Sequence, residues 1–364
     1  MRQADTLAEP TVRRRLVDAA GLLTTPLLPD DYLTVINPLW AFNQLRGRIE
    51  QIIPRTDDAA TIVIRPGRRW PLHRAGQHVA IAVDVDGVRN WRSYSLTSDP
   101  GRPDGCISVT VKRVDGGVVS THLVDHATVG EIVRLGPPEG DFHLPGEVTR
   151  TPLLLITAGS GITPIMAILR SLERQGAIQD VVHVHSERTA DAVIFGEALR
   201  GLAARNPGVT LHERHTSIAP RLSLGELDTL CPDWRERDTY ACGPVGLLDA
   251  VEDHFDAEGV LNRLHLERFQ LATLAADPGD GGTITIQGSG TSFEVEAGTP
   301  LLVAGENAGL PLKSGCRMGI CHTCVCTLES GTVRDLRTGE LQSEPGQHIQ
   351  LCVSGAAGDA AITI

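Results

Sequence analysis

Positive charge is scarce in this chain. Its 33 lysines and arginines face 45 aspartates and glutamates, a formal charge of −12. Nucleic-acid phosphates need a basic face, so this balance argues against a nucleic-acid partner. Acidic residues also outnumber basic ones in the segment 283–364, which could steer that end of the chain toward a basic protein surface. Long apolar runs are missing: none approaches the ~20 residues that a membrane-spanning helix needs. The N-terminal MRQADTLAEPTVRRRL lacks the apolar core of an export signal. Eight cysteines without such a signal point to a reducing compartment, so the cytoplasm is expected and disulfides are not. Lysine is almost absent; Lys112 and Lys313 are the only two.

Hydrophobic periodicity divides what is there. Residues 1–43 read as an extension with one helix, roughly Val12 to Leu23, and a stretch interrupted by Pro26, Pro29 and Pro38. From 44 to 148 short strands alternate with Gly and Pro turns: GRIEQIIP, TIVIRP, HVAIAVDVDG, RSYSLTS, CISVTVKRV and EIVRLG. That pattern predicts a small antiparallel β-barrel, with helical periodicity only near Val119–His126. Between 149 and 271 the period changes. LLLITA, VVHVHS, VTLHERH and TYACG alternate with helical segments at about 164–175, 193–204 and 244–257, which predicts a parallel sheet. An Ala/Asp/Gly-rich linker (272–282) precedes a last domain (283–364) that opens on the hairpin TITIQGSGTSFEVE. The fold class expected is multidomain β and α/β.

Four cysteines carry the clearest chemistry. Cys316, Cys321, Cys324 and Cys352 are spaced C-x4-C-x2-C-x27-C, the ligand spacing of a plant-type 2Fe–2S cluster. Glycines in the loop let backbone N–H groups turn toward the sulfurs. Structural zinc, the rival occupant, usually takes paired C-x2-C knuckles, and only one such pair exists. Cys326 follows in Cys-Val-Cys alternation and is expected to face away from the cluster.

Two further sets suit phosphate-bearing cofactors. Arg92-Ser93-Tyr94-Ser95 puts a cation, an aromatic and hydroxyls on one barrel strand, a combination able to grip a flavin. Gly116-Gly117-Val118-Val119-Ser120 adds glycines and a hydroxyl at a helix start, a phosphate cradle. Gly159-Ser160-Gly161-Ile162-Thr163-Pro164 follows LLLITA and opens a helix. Small residues there let a pyrophosphate approach the helix N-terminus, and Pro164 suits the first turn. Taken alone, the segment is equally a tight strand–helix turn. Cys242-Gly243-Pro244 ends a later strand of the same sheet, so the two turns are expected to share one crevice.

In this order, these motifs resemble the ferredoxin–NADP reductase superfamily, and more closely its bacterial members with a fused C-terminal plant-type ferredoxin domain. The resemblance covers about 46–364. It implies an FAD-binding antiparallel barrel, a parallel-sheet NAD(P)-binding domain and a β-grasp 2Fe–2S domain. It assigns FAD to Arg92, Ser93, Tyr94 and Ser95, with Gly117, Val118, Val119 and Ser120 at its phosphates. It assigns the NAD(P) pyrophosphate to Gly159, Ser160, Gly161, Thr163 and Pro164, and the nicotinamide to Cys242, Gly243 and Pro244. Phe269 either shields the flavin or packs as a linker aromatic. Arg188, after the second strand of the sheet, could pair with a ribose 2′-phosphate, favouring NADPH over NADH; Glu187 beside it would repel that phosphate.

The implied activity carries electrons from NADPH (or NADH) through FAD and the cluster to a separate protein, with no catalytic nucleophile needed. No E-x-x-H pair, globin-like region or haem-thiolate signature supplies a terminal acceptor within the chain. The segment TTPLLPDDYLTVINPLWAFNQLRGRI looks like the lead-in of reductases serving membrane di-iron acyl desaturases and hydroxylases. A desaturase or hydroxylase in lipid metabolism is therefore the expected acceptor, which would hold the chain at the membrane periphery. Alternatives are a ring-hydroxylating dioxygenase, a haem monooxygenase, direct reduction of a small molecule, or a bound electron-transfer subunit of a larger complex.

Overall fold

The computed structural model describes residues 34–41, 44–85, 87–145, 151–269, 281–314, 319, 323–336 and 338–364. The expected helix at 12–23, nearly all of the 272–282 linker, and Cys316 and Cys321 lie outside the described residues.

Six antiparallel strands follow the first turn: β1 (Leu45–Thr56), β2 (Ala59–Pro66), β3 (His78–Val85), β4 (Val88–Ser95), β5 (Ile107–Lys112) and β6 (Ile132–Glu139). They run in the order β4-β3-β6-β1-β2-β5, and a bridge between Leu96 and Val109 joins the two edges, closing the barrel. Closure removes exposed strand edges. The apolar positions of the strands meet inside, with Ile49, Ile62, Ile64, Val79, Ile81, Leu96 and Val109 all buried. A short helix, α1 (Val118–Thr121), continues as a wider turn through His126.

The second sheet is parallel: β7 (Leu153–Ala158), β8 (Val181–Glu187), β9 (Val209–His215), β10 (Asp238–Cys242) and β11 (Leu264–Glu267), in the order β11-β10-β7-β8-β9. Its helices are α2 (Ile162–Arg174), α3 (Gly196–Arg205), α4 (Leu227–Leu230) and α5 (Val245–Ala257). LLLITA is a continuous apolar run because both faces of β7 are covered. Leu153 and Leu155 join one core with Ile165 and Leu169 of α2, while Leu154 and Ile156 join another with Leu248 and Val251 of α5. The order reverses direction between β7 and β10, which leaves a crevice at their carboxyl ends. Strand β11, Leu-His-Leu-Glu, alternates but is only four half-buried residues long, too short for sequence periodicity to mark it.

The last sheet mixes directions: β12 (Gly282–Ile286), β13 (Ser292–Val295), β14 (Val325–Asp335), β15 (Leu341–Gln342), β16 (His348–Gln350) and β17 (Ser354–Thr363), with helix α6 (Leu301–Asn307) packed on it. Strands β12 and β17 pair in parallel at its centre. Among the described residues, no helix is long and apolar enough to cross a membrane.

Candidate functional site

The crevice between β7 and β10 is built by close backbone approach. The turn Gly159–Gly161 follows β7 and opens α2, with Gly159 at φ +56° and Pro164 in the first turn of the helix. A Cβ placed on Gly161 would lie 2.0 Å from the carbonyl oxygen of Cys242. Only glycine lets the two turns come this close, so Gly159 and Ser160 on one side and Gly243 and Pro244 on the other line a single crevice. Between them lies a cavity of about 350 Å³ lined by Ser160, Gly243, Pro244, Arg268, Phe269 and Lys112, among others. Thr163 is buried, and its hydroxyl donates to the Ser160 carbonyl at 2.9 Å, bracing the turn.

Lys112 is the residue that sequence reasoning passes over. It ends β5 on the barrel yet reaches this cavity, with its ammonium 3.6 Å from Asp58 and 3.8 Å from Glu187. The signal was its rarity, one of two lysines in the chain. One carboxylate oxygen of Glu187 is buried without a hydrogen-bond partner. The other accepts from the backbone N–H of Arg188. The Arg188 side chain is exposed just past β8 and does not line the cavity. Arg268 pairs with Asp249 and Glu252 of α5 at 2.6 Å each. Phe269 is half-buried against the core below the crevice, which suits the packing reading as well as a cofactor contact.

On β4 the side chains alternate. Ser93 lines a separate cavity of about 190 Å³ with Trp91, Ala80 and Glu139 of the barrel, and Thr323 from the cysteine loop closes it. Arg92 donates to the Trp91 carbonyl at 2.7 Å. Tyr94 packs beside the barrel core, and burial raises its phenol above the ordinary range, so it stays neutral. Ser95 is buried, and its hydroxyl has no partner among the described residues. A buried hydroxyl left unbonded is costly. A flavin edge with hydrogen-bonding atoms fits it. His78, opposite Ser95 in the β3–β4 register, lies 3.6 Å from Glu267 of β11, tying the barrel to the parallel sheet at this point. Near the α1 start, Ser120 donates to the Gly117 carbonyl and accepts from the Val114 N–H. Val119 is buried and Val118 exposed. Gly117 is the N-cap of α1 with no side chain over the helix start.

Cys242 ends β10 fully buried; burial, then the nearby Glu267 charge, pushes its thiol well above the ordinary range. It is a neutral thiol beside the crevice and not a nucleophile. In the last domain Cys324 and Cys352 are both buried and adjacent. A hydrogen bond from Cys352, helped by nearby backbone groups and opposed by burial, holds the Cys324 thiol down at about 6. A buried pair of sulfurs, one of them disposed to ionise, fits iron ligation. Cys326, two residues on, is buried in the β-sheet core, and burial pushes its thiol up to about 12.

Comparison with known proteins agrees with this geometry. Residues 72–144 match an oxidoreductase FAD-binding domain, 155–253 an oxidoreductase NAD-binding domain, and 284–356 a 2Fe–2S iron–sulfur cluster binding domain. An NADPH oxidoreductase of Mycobacterium tuberculosis (strain ATCC 25618 / H37Rv) is 49% identical over 95% of this chain and 91% of its own. The ferredoxin reductase component of a 3-ketosteroid-9-alpha-monooxygenase from M. tuberculosis (strain CDC 1551 / Oshkosh) is 32% identical over 79% of this chain and 86% of its own. Among solved structures, phthalate dioxygenase reductase superposes with a TM-score of 0.62 at 25% identity, covering 88% of this chain and 97% of that one.

Proposed function

The chain is an NAD(P)H oxidoreductase of the ferredoxin–NADP reductase family, in the form with a C-terminal 2Fe–2S domain, and from that premise we propose that it takes electrons from NADPH and delivers them to a separate oxygen-activating enzyme. The observation that carries this reading is the cavity shared by Ser93 and Trp91 with Thr323. Thr323 adjoins Cys324, so the described end of the cysteine segment sits against the strand that bears the flavin motif. In this family FAD accepts a hydride from the nicotinamide, and a 2Fe–2S cluster passes single electrons onward.

The chain's own residues bind and orient. Gly159, Ser160, Gly161 and Pro164 admit a pyrophosphate at the start of α2, and Gly243 and Pro244 leave room for the nicotinamide on the opposite wall. Lys112 supplies a cation to this crevice from the barrel. Arg92, Tyr94 and Ser95, with the Gly117–Ser120 turn, hold the flavin, and Ser95 donates the hydrogen bond that its buried hydroxyl otherwise lacks. Cys316, Cys321, Cys324 and Cys352 ligate iron. The limits 44–148, 149–271 and 283–364 are the proposed domain boundaries.

NADPH is the proposed donor because Arg188 is exposed just past β8, within the chain segment expected to meet a ribose 2′-phosphate, and because the 49%-identical relative is named an NADPH oxidoreductase. For the acceptor, relatives are named as reductase components of a glycine betaine monooxygenase and a ketosteroid monooxygenase, so an oxygenase component is the broader reading. The narrower reading, a membrane di-iron acyl desaturase or hydroxylase, rests on the Pro-interrupted N-terminal segment. Co-purification of an oxygenase with the tagged chain, followed by NADPH-driven product formation, chooses between them.

Replacing Cys324 with Ser tests the electron route. Reduction of the protein acceptor should be lost while NADPH-driven ferricyanide reduction is retained. Equal loss of both activities would contradict it.

A further inference from the structure

A second cavity, of about 300 Å³, lies where the barrel meets α2, and it shares no lining residue with the crevice. Three arginines line it: Arg55 from the end of β1, Arg102 from the loop after β4, and Arg170 from α2. Arg170 sits seven residues along the helix from Thr163, a rise of roughly 10 Å away from the dinucleotide turn. Among the described residues, neither Arg55 nor Arg170 has a carboxylate within ion-pair distance. The one acid on the cavity wall, Asp99, is taken by Arg174. Arg102 pairs with Asp104 at 2.7 Å. Arg55 and Arg170 are fixed by other means. Both guanidiniums lie over the ring of Phe195, at 5.2 and 4.9 Å. Arg55 also donates to the Thr61 hydroxyl at 2.8 Å, and Arg170 to the Thr97 carbonyl.

We propose that this cavity is a binding site for a small oxyanion, a phosphate or phosphate monoester, clasped between the barrel and the NAD-binding domain. Arginine forks held in fixed planes suit phosphate oxygens, and Ser98, Ser108 and Thr61 add hydroxyls to the wall. Ile53, Val63 and Pro103 complete it with an apolar side that leaves space for a short carbon chain. Arg55 and Arg170, drawn together over one ring with no carboxylate of their own, repel each other. Burial first, then the charges of Arg55 and Arg102, lower Arg170 to about 10, with Glu173 opposing. An oxyanion relieves that repulsion. Since Arg55 and Arg102 belong to the barrel and Arg170 to α2, the anion would bind only while the two are docked, and mass action would then favour the docked form.

The test is thermal unfolding of the full-length holoprotein with saturating NADP⁺, so that the dinucleotide crevice is filled. Inorganic phosphate and glycerol 3-phosphate are titrated against potassium chloride at matched ionic strength. The expected result is a saturable rise in Tm with phosphate that chloride does not reproduce. Half-saturation should move up at least about tenfold in Arg102→Gln and in Arg55→Gln, and stay unchanged in Arg221→Gln, an exposed arginine that lines neither cavity. Tighter saturation by glycerol 3-phosphate would identify an ester as the ligand, and tighter saturation by inorganic phosphate the free anion; either supports the site. A phosphate effect no larger than that of chloride, or one unaltered in both glutamine variants, overturns it.

Discussion

The carbonyl oxygen of Cys242 occupies the space that a β-carbon on Gly161 would need, 2.0 Å from where that carbon would stand. This one contact brings the ends of β7 and β10 together and fixes the width of the crevice between them. The obstacle is backbone on both sides, so no side-chain rotation can relieve it.

Gly161→Ala should therefore push the two turns apart. Gly161 has an ordinary helical φ of −60°, so the cost is steric and not conformational. A stability loss of about 1–3 kcal/mol is expected, with the NADPH KM raised at least tenfold and flavin content unchanged. Steady-state kinetics and the visible spectrum check this; an unaltered KM would show that the crevice tolerates the added methyl group.

Arg188→Ala should raise the KM for NADPH much more than that for NADH. The guanidinium is exposed and free to meet a 2′-phosphate, while NADH offers it nothing. Parallel changes with both nucleotides would count against that role.

Ser95→Ala removes a buried hydroxyl that lacks a protein partner. Loss of a flavin hydrogen bond worth about 1 kcal/mol should slow NADPH-driven flavin reduction roughly five- to tenfold in stopped-flow traces. The fold should be undisturbed, because no protein acceptor is left orphaned. An unchanged rate would place the hydroxyl outside the reaction.

Acid should weaken the NAD-binding sheet before most carboxylates titrate. His183 and His185 on β8 are buried, and a ring nitrogen of each lies 2.8 Å from the Thr157 hydroxyl. Burial lowers both, His185 to about 4 and His183 well below its ordinary value. In the unfolded chain both take up protons near pH 6.5. Their contribution is thus complete above about pH 6.5 and is lost as the pH falls toward 4, about 3 kcal/mol from His185 alone. The melting temperature should fall steeply between pH 6.5 and 4.5, and His185→Gln should flatten that slope. A profile that stays level over this range would refute the assignment.

Much of the molecule is legible without coordinates because its chemistry is local. The Cys316–Cys324 spacing names a cluster from a single loop, and the switch from period-two strands to alternating strand and helix separates barrel from parallel sheet. LLLITA followed by GSGITP reads as a strand entering a helix because apolar residues on both faces and small residues at the turn leave little else. Strand β11 escaped because two repeats of Leu-polar alternation over four half-buried residues are too short a run to stand out. Ser93 and Ser95 look alike in the motif, yet Ser93 shares a cavity with Thr323 while the Ser95 hydroxyl is buried without a partner among the described residues, a difference set by what packs on β4.

By itself, the sequence determined the cofactor classes and their order along the chain, since each depends on side-chain types a few residues apart. Tertiary structure alone decided that Lys112 of the barrel reaches the crevice between β7 and β10, that Thr323 and Trp91 line one cavity, and that Arg55, Arg102 and Arg170 converge on another. Those residues are tens to hundreds of positions apart. Their proximity follows from how closed sheets and helices pack against one another, which no local pattern encodes.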